Sequence, residues 1–374
     1  MSYRYSNAIV DPGLNTLAPP SPQYLYNLYS WGQGSSGHLG LGNSTNYSSP
    51  VQVGSLTNWL IISSGTISTN AIKTDGTLWG WGNNTSGNLG TGNISIYSSP
   101  VQIGALTNWL KLSKNATTTL AIKTDGTLWA WGNNYFGGLG LGNTTNYSSP
   151  KQIGALTNWL NVASGGYSSF AIKTDGTLWS WGYNGYGGLG LGNTTYYSSP
   201  KQIGALTTWK NIYAGSYDAF AIKTDGTLWA WGYNATGCLG LNNTTNYSSP
   251  KQVGALTTWS SAFAATNNTL AIKTDGTLWS WGYNVDGQLG LGNTTYFSSP
   301  KQVGSLTNWL NIACSQYHTS VVKTDGTLWI WGKNNSGQLG LGNTTNYSSP
   351  KQVGSLTSWK NVALGTFFSI ATSL

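Results

Sequence analysis

The chain has 374 residues, of which only 7% are charged, and it carries a net charge of +8. Its 20 tryptophans and 22 tyrosines supply the apolar area that a low-charge chain needs in order to fold, which sets it apart from disordered sequences. The basic excess raises the question of nucleic acid, but Arg4 is the one arginine and no basic run occurs, which argues against such a partner.

Residues 1–23 read MSYRYSNAIVDPGLNTLAPPSPQ, lack the apolar core of a signal peptide and become proline-rich near their end. They are expected to form an extended arm that docks on a neighbouring subunit or stays disordered. From residue 24 to 374 the chain repeats. Trp-Gly recurs at Trp31, Trp81, Trp131, Trp181, Trp231, Trp281 and Trp331, fifty residues apart without drift. Units of this length, rich in short strand signals and broken by Gly, Asn and Pro, predict propeller blades rather than helices.

One unit shows the expected strands. The first is Trp159 to Ser164, the second Ser169 to Lys173, the third Thr177 to Gly182 and the fourth Pro200 to Ile203. Asp175-Gly176 marks the hairpin between the second and third, and Pro200 suits the head of an outer edge strand. The last unit stops after its second strand at Leu374, and the first begins with a third strand at Leu25, with Tyr29 where Trp79 stands. One blade therefore takes two strands from each end. The predicted fold class is all-β: a closed propeller of seven four-stranded blades.

Most unusual side chains are committed to this repeat. Every tryptophan falls at one of three repeat positions and is expected to pack between blades. Six of nine aspartates are hairpin residues, leaving Asp11, Asp218 and Asp286, and there is no glutamate. Six lysines precede a hairpin Asp by two residues and are expected to be offset by it. Lys151, Lys201, Lys251, Lys301 and Lys351 form a partial ring, either solvated or anion-binding. Asn-x-Ser/Thr triplets such as Asn143-Thr-Thr read as turn residues. His38 and His318 lie in different blades, so no acid–base pair or Ser–His–Asp set is framed, and no enzyme activity is expected. Cys238 and Cys314 occupy different repeat positions, and neither a disulfide, a metal site nor a cofactor is expected. No apolar stretch is long enough for a membrane helix.

Two segments vary between repeats: the link between first and second strands, and the residues after Trp-Gly. A four-stranded meander releases both at one end, so they share a loop face. The candidate binding residues there are Tyr135, Phe136, Tyr167, Tyr186, Tyr217, Asp218, Asp286, Tyr317, His318, Phe367 and Phe368, with the aromatics expected to be exposed.

The pattern DGTLWxWGxNxxGxLGLG, read from Asp125 to Gly142, resembles the repeat of the regulator of chromosome condensation family, and the resemblance spans residues 24–374. Asn84, Asn134, Asn184, Asn234, Asn284 and Asn334 match it, and Gly34 departs from it. The resemblance implies a seven-bladed propeller with a mixed closing blade. The founding member's nucleotide exchange on a nuclear GTPase does not carry over. The family's His-Ser survives only loosely, at His318-Thr319, and its acidic exchange surface has no clear counterpart. Other members look like protein scaffolds, and a secreted bacterial one inhibits β-lactamases through its loops. The near-identical repeats and Asn/Ser/Thr/Gly/Tyr-rich surface also look similar to phage virion and tail-associated proteins. The leading expectation is a structural or binding module on a virion or extracellular surface, mounted on a neighbouring subunit through residues 1–23, its variable face meeting a protein, receptor or glycan. The alternatives are an intracellular regulator of a GTPase or chromatin, and a secreted inhibitor or adhesin.

Overall fold

The Lys-Thr-Asp-Gly-Thr turn sets the register of each blade. Asp175 Oδ1 accepts hydrogen bonds from Thr177 N (2.9 Å) and Thr177 Oγ1 (2.6 Å), and that hydroxyl accepts one from Trp179 Nε1 (2.9 Å). Gly176 between them has φ +77, a left-handed conformation that side chains with a Cβ resist. The turn joins Ser168–Lys173 to Leu178–Gly182 as antiparallel partners. Trp159–Ser164 pairs on one side and Tyr197–Gln202 on the other. The outer strand thus begins three residues before the expected Pro200. The proline falls inside the strand, which it tolerates because that edge has no further partner.

The computed structural model describes residues 25–374, together with two short paired strands at Tyr5–Ser6 and Ile9–Val10. The remainder of the predicted arm lies outside the described residues. Seven four-stranded sheets follow in order, the inner strands starting at Trp59, Trp109, Trp159, Trp209, Trp259, Trp309 and Trp359. The last sheet closes the ring. Trp359–Leu364 and Phe368–Ser373 come from the C-terminal end, Asn27–Gly32 and Tyr47–Gln52 from the N-terminal end. Asn27 faces Ser373 and Gly32 faces Phe368 across the seam, so the join is an ordinary ladder.

The core lies between blades. Each of the seven buried apolar clusters mixes residues of two neighbouring blades, as when Phe170, Ile172 and Leu178 meet Trp209, Ile212 and Trp231. The Trp-Gly indoles are fully buried, and six reach back to the loop of the preceding blade. Trp181 Nε1 donates to Gly138 O (2.9 Å), and Trp31 Nε1 closes the circle on Gln338 O (2.9 Å). The other tryptophans build a cage within the blade. Trp159 meets Trp179 and Trp181 edge-to-face, and Lys173 Nζ sits 3.9 Å from the Trp179 ring centroid. Each such cation–ring contact contributes about 0.5–2 kcal/mol. The six repeat lysines therefore rest on indole rings, and the hairpin aspartates add the expected electrostatic attraction, as Asp125 does for Lys123.

The close approach of the indole fixes the residue it meets. Gly140 has φ +72, and a Cβ there would lie 2.7 Å from Trp181 Nε1. Gly142 has a similar φ of +76 with nothing nearer than 3.6 Å. Gly140→Ala is expected to cost about 2–4 kcal/mol, strain plus overpacking, and Gly142→Ala about 1–2 kcal/mol of strain alone. Urea unfolding of the two variants checks the difference.

Candidate binding face

Inner and third strands run the same way, so both release their loops at one end of the ring. The loops are bonded to each other: Tyr183 N donates to Tyr167 O (3.0 Å), Tyr233 N to Tyr217 O (3.1 Å) and Gln33 N to Phe367 O (2.9 Å). The asparagine after Trp-Gly-x fixes the longer loop. Asn134 Oδ1 accepts from Leu139 N (2.9 Å) while its Nδ2 donates to Asn143 O (2.9 Å). Asn143 Oδ1 in turn accepts from Thr145 N (3.0 Å), the turn role expected of these triplets. Residues at positions 135 and 136 therefore project from a braced frame. The inner-strand ends open on the ring axis, where residues from all seven blades line a cavity of about 330 Å³.

An aromatic arc occupies one side of this face. Phe136 is its hub, with ring centroids 5.1 Å from Tyr135, 5.2 Å from Tyr167, 5.1 Å from Tyr183 and 5.6 Å from Tyr196. Tyr186 extends it, 5.4 Å from Tyr217 and 5.0 Å from Tyr233. Eight rings from three consecutive blades thus touch in sequence, mostly edge-to-face as ring quadrupoles prefer. Tyr135 is 74% exposed, Tyr196 45% and Tyr186 40%. Burial pushes the Tyr183 phenol up to about 12 and raises Tyr217 as well, so both remain neutral donors and acceptors at physiological pH. The charged groups at this end of the three blades, Lys114 and Asp218, are buried. The arc is apolar, hydroxyl-bearing and uncharged.

A smaller cluster lies across the ring. Tyr317 stacks on Phe367 at 5.3 Å, and Lys333 Nζ lies 4.7 Å from the Tyr317 centroid and 4.0 Å from Asp286 Oδ1. On the rim, Lys151, Lys201, Lys251, Lys301 and Lys351 are exposed, each ammonium 5.3–5.5 Å from the aromatic ring that begins its strand.

Three of the expected surface residues are instead buried. Asp218, His318 and Phe368 each open the second strand of a blade, one residue past the loop, and that strand is buried on both faces from its first residue. His318 joins two blades: its Nδ1 lies 2.8 Å from Ser315 Oγ and its Nε2 3.1 Å from Ser369 Oγ. Burial pushes it down to about 3, so it is neutral. Phe368 stacks on His38 at 5.1 Å. Tyr183, Tyr196 and Tyr233 were missed. The signal was present in two further columns, Asn83/Asn133/Tyr183/Tyr233 and Asn146/Tyr196/Asn246, where a polar residue alternates with tyrosine. Among the described residues no three His, Cys, Asp or Glu side chains converge to hold a metal.

Asp218 gives a pH signature. Burial pushes its carboxyl up to about 7 from the usual 3.8, with the Cys238 thiol offsetting part of the rise. As pH climbs from about 4 to about 7 the unfolded chain loses a proton that the folded one keeps, so stability falls, and it levels off above that window. Asp218→Asn is expected to stabilise the fold at pH 8 by up to about 2–4 kcal/mol and to change little at pH 4, as read by urea unfolding at both.

The comparisons with known proteins agree with this architecture. The family described as the RCC1-like domain matches residues 26–264, and the regulator of chromosome condensation repeat matches 275–322 and 325–372. No curated protein matches the chain. Among solved structures, yeast RCC1 (Prp20) bound to Kap60 is similar with a TM-score of 0.84 at 19% identity, covering 98% of this chain and 96% of that one. Prp20p from Saccharomyces cerevisiae, described with its binding to Gsp1p and histones, gives 0.82 at 20% identity over 94% and 93%. Human WBSCR16 gives 0.82 at 20% identity over 93% and 98%. None of these three is a phage or virion protein, and at such identities the likeness speaks for the fold alone. The match over most of the chain, with the sevenfold Trp-Gly frame and the shared closing blade, places this protein in the family of RCC1-like domains.

Proposed function

We propose that this RCC1-like propeller is a non-catalytic module that holds a protein partner on its loop face, with the aromatic arc as the main contact. The observation that carries the reading is the gathering of eight rings from three neighbouring blades, at positions that other blades fill with residues as different as Ser36, Asn83, Thr117, Asp286 and Lys333. Packing of the ring does not require these side chains, since blades without them close equally well. Exposed, contiguous apolar surface costs solubility, and tyrosine-rich patches are where interfaces concentrate their energy.

Regulation of a small GTPase is a second reading, favoured by the likeness to yeast RCC1 and to Prp20p with its Gsp1p binding. Against it stands the chemistry of the face. Of the two carboxylates that the described residues carry outside the hairpins, Asp218 is buried at the start of a strand and Asp286 is paired with Lys333.

Two measurements separate the readings. Tyr167→Ala/Tyr186→Ala is expected to lose, by at least about tenfold in affinity, the proteins that the unaltered chain captures, while Leu156→Ala on the opposite face retains them. Equal capture by both variants overturns the proposal. Accelerated nucleotide release from a small GTPase, abolished by substitution at Asp286 or Lys333, would establish the second reading instead.

A further inference from the structure

One departure from the repeat lies outside the variable loop segments. Two residues after the glycine that meets the indole, six units carry a second glycine, with φ between +73 and +87. The unit that begins at Trp209 carries Asn242 there instead, at φ +60. Asparagine tolerates this left-handed conformation better than most side chains, but less well than glycine. Its N donates to Ser298 O (2.7 Å) as Gly192 N does to Ser248 O (2.7 Å), so the backbone gains no bond from the change. The exposed Asn242 side chain has no hydrogen-bond partner among the described residues.

That side chain stands at a cavity of about 390 Å³ between two blades, a volume within the ordinary range of small-ligand sites. Its wall joins the outer strand Tyr247–Gln252 of one blade to Leu278–Gly282 and Phe297–Gln302 of the next. Leu241, Leu256, Pro300 and Trp279 make most of it apolar. Trp279 Nε1 is spent on Thr277 Oγ1 (2.9 Å), so the indole offers the cavity apolar surface only. The polar side chains that stand free on the wall are Asn242 and Gln252. In other units the matching glutamine is tied down: Gln102 Nε2 donates to Gly104 O (3.1 Å) and Gln152 Nε2 to Gly154 O (3.0 Å). Gln252 makes no such bond among the described residues, which leaves two unpaired amides beside an aromatic ring.

We propose that this cavity is a binding site for a neutral sugar, a hexopyranose with its apolar face against Trp279 and its hydroxyls on the amides of Asn242 and Gln252. A carboxamide carries an acceptor and two donors side by side, which suits neighbouring hydroxyls that each give and take a bond. A charged ligand finds no counter-charge here. Among the described residues no ionisable side chain lines the wall, and Lys251 and Lys301 lean instead on Tyr247 and Phe297, each at 5.5 Å. A wholly apolar ligand would cover both amides and leave them unpaired. Because the other six units have glycine at the place of Asn242, the two-amide wall belongs to this one junction. The cavity shares no residue with the aromatic arc, so this site is additional to the protein-binding face.

Saturation-transfer NMR of the full chain with the methyl glycosides of glucose, galactose, mannose and N-acetylglucosamine tests the proposal. At least one of these probes is expected to bind in the millimolar range, with transfer strongest at the C–H protons of one ring face. Asn242→Gly restores the residue that the other six units carry, so it keeps the fold, and it should weaken that probe by about tenfold, the worth of the hydrogen bonds removed. Gln252→Ala should weaken it to a similar extent, and sodium glucuronate should bind no better than methyl glucoside. Binding by none of the four probes overturns the proposal, as does equal binding by Asn242→Gly and the unaltered chain. Tighter binding of glucuronate overturns it too, since the wall would then hold a counter-charge. Both variants should capture proteins on the loop face as the unaltered chain does, so the sugar site and the loop-face reading can each fail alone.

Discussion

The bond between a Trp-Gly indole and the loop carbonyl of the blade before it, made at six of the seven interfaces, is the contact on which the ring depends. Trp181 on Gly138 O and Trp31 on Gln338 O are the same interaction, made across 43 residues of sequence in one case and 307 in the other. Because the bond joins neighbours and not strands of one blade, no blade completes its core alone. Stability is shared around the circle, and the closing blade, half from each end, brings the last interface to the first.

That dependence explains where the sequence is free to vary. The indole presses on Gly140 and its equivalents, the hairpin Asp holds Thr177, and the loop asparagine holds both ends of its loop. These positions repeat in nearly every blade because each meets a bond or a close approach that another side chain would not fit. Between them lie a few residues per blade that touch only solvent or their neighbours. Seven such windows on one face give a rigid scaffold with adjustable contacts, and the aromatic arc arises where three adjacent windows carry large rings. The charged inventory follows the same logic: repeat lysines rest on tryptophan rings and hairpin aspartates on threonine, so the loop face is left almost without accessible charge.

Much of this was legible in the sequence. A fifty-residue period, Asp-Gly turns and a chain that begins in mid-unit dictate seven blades, four strands each, and the shared seam. The two variable segments were also legible, because comparing seven copies of one unit separates scaffold from loop without any other protein. The errors came at the loop–strand boundary. Asp218, His318 and Phe368 vary between repeats as loop residues do, yet each is the first residue of a strand whose two faces are both covered by neighbouring blades. Variation there reflects different solutions to one buried site, such as His318 between Ser315 and Ser369 or Phe368 against His38.

What the sequence determined by itself is the architecture, because the repeat writes the same local hydrogen bonds seven times and turn chemistry is local. What the tertiary structure decided is the site. Phe136, Tyr167, Tyr183 and Tyr196 are up to sixty residues apart and in two blades, and their contact depends on the curvature of the ring and the height of each loop. Adjacency of that kind is set by how blades pack against one another. No window of the chain contains it.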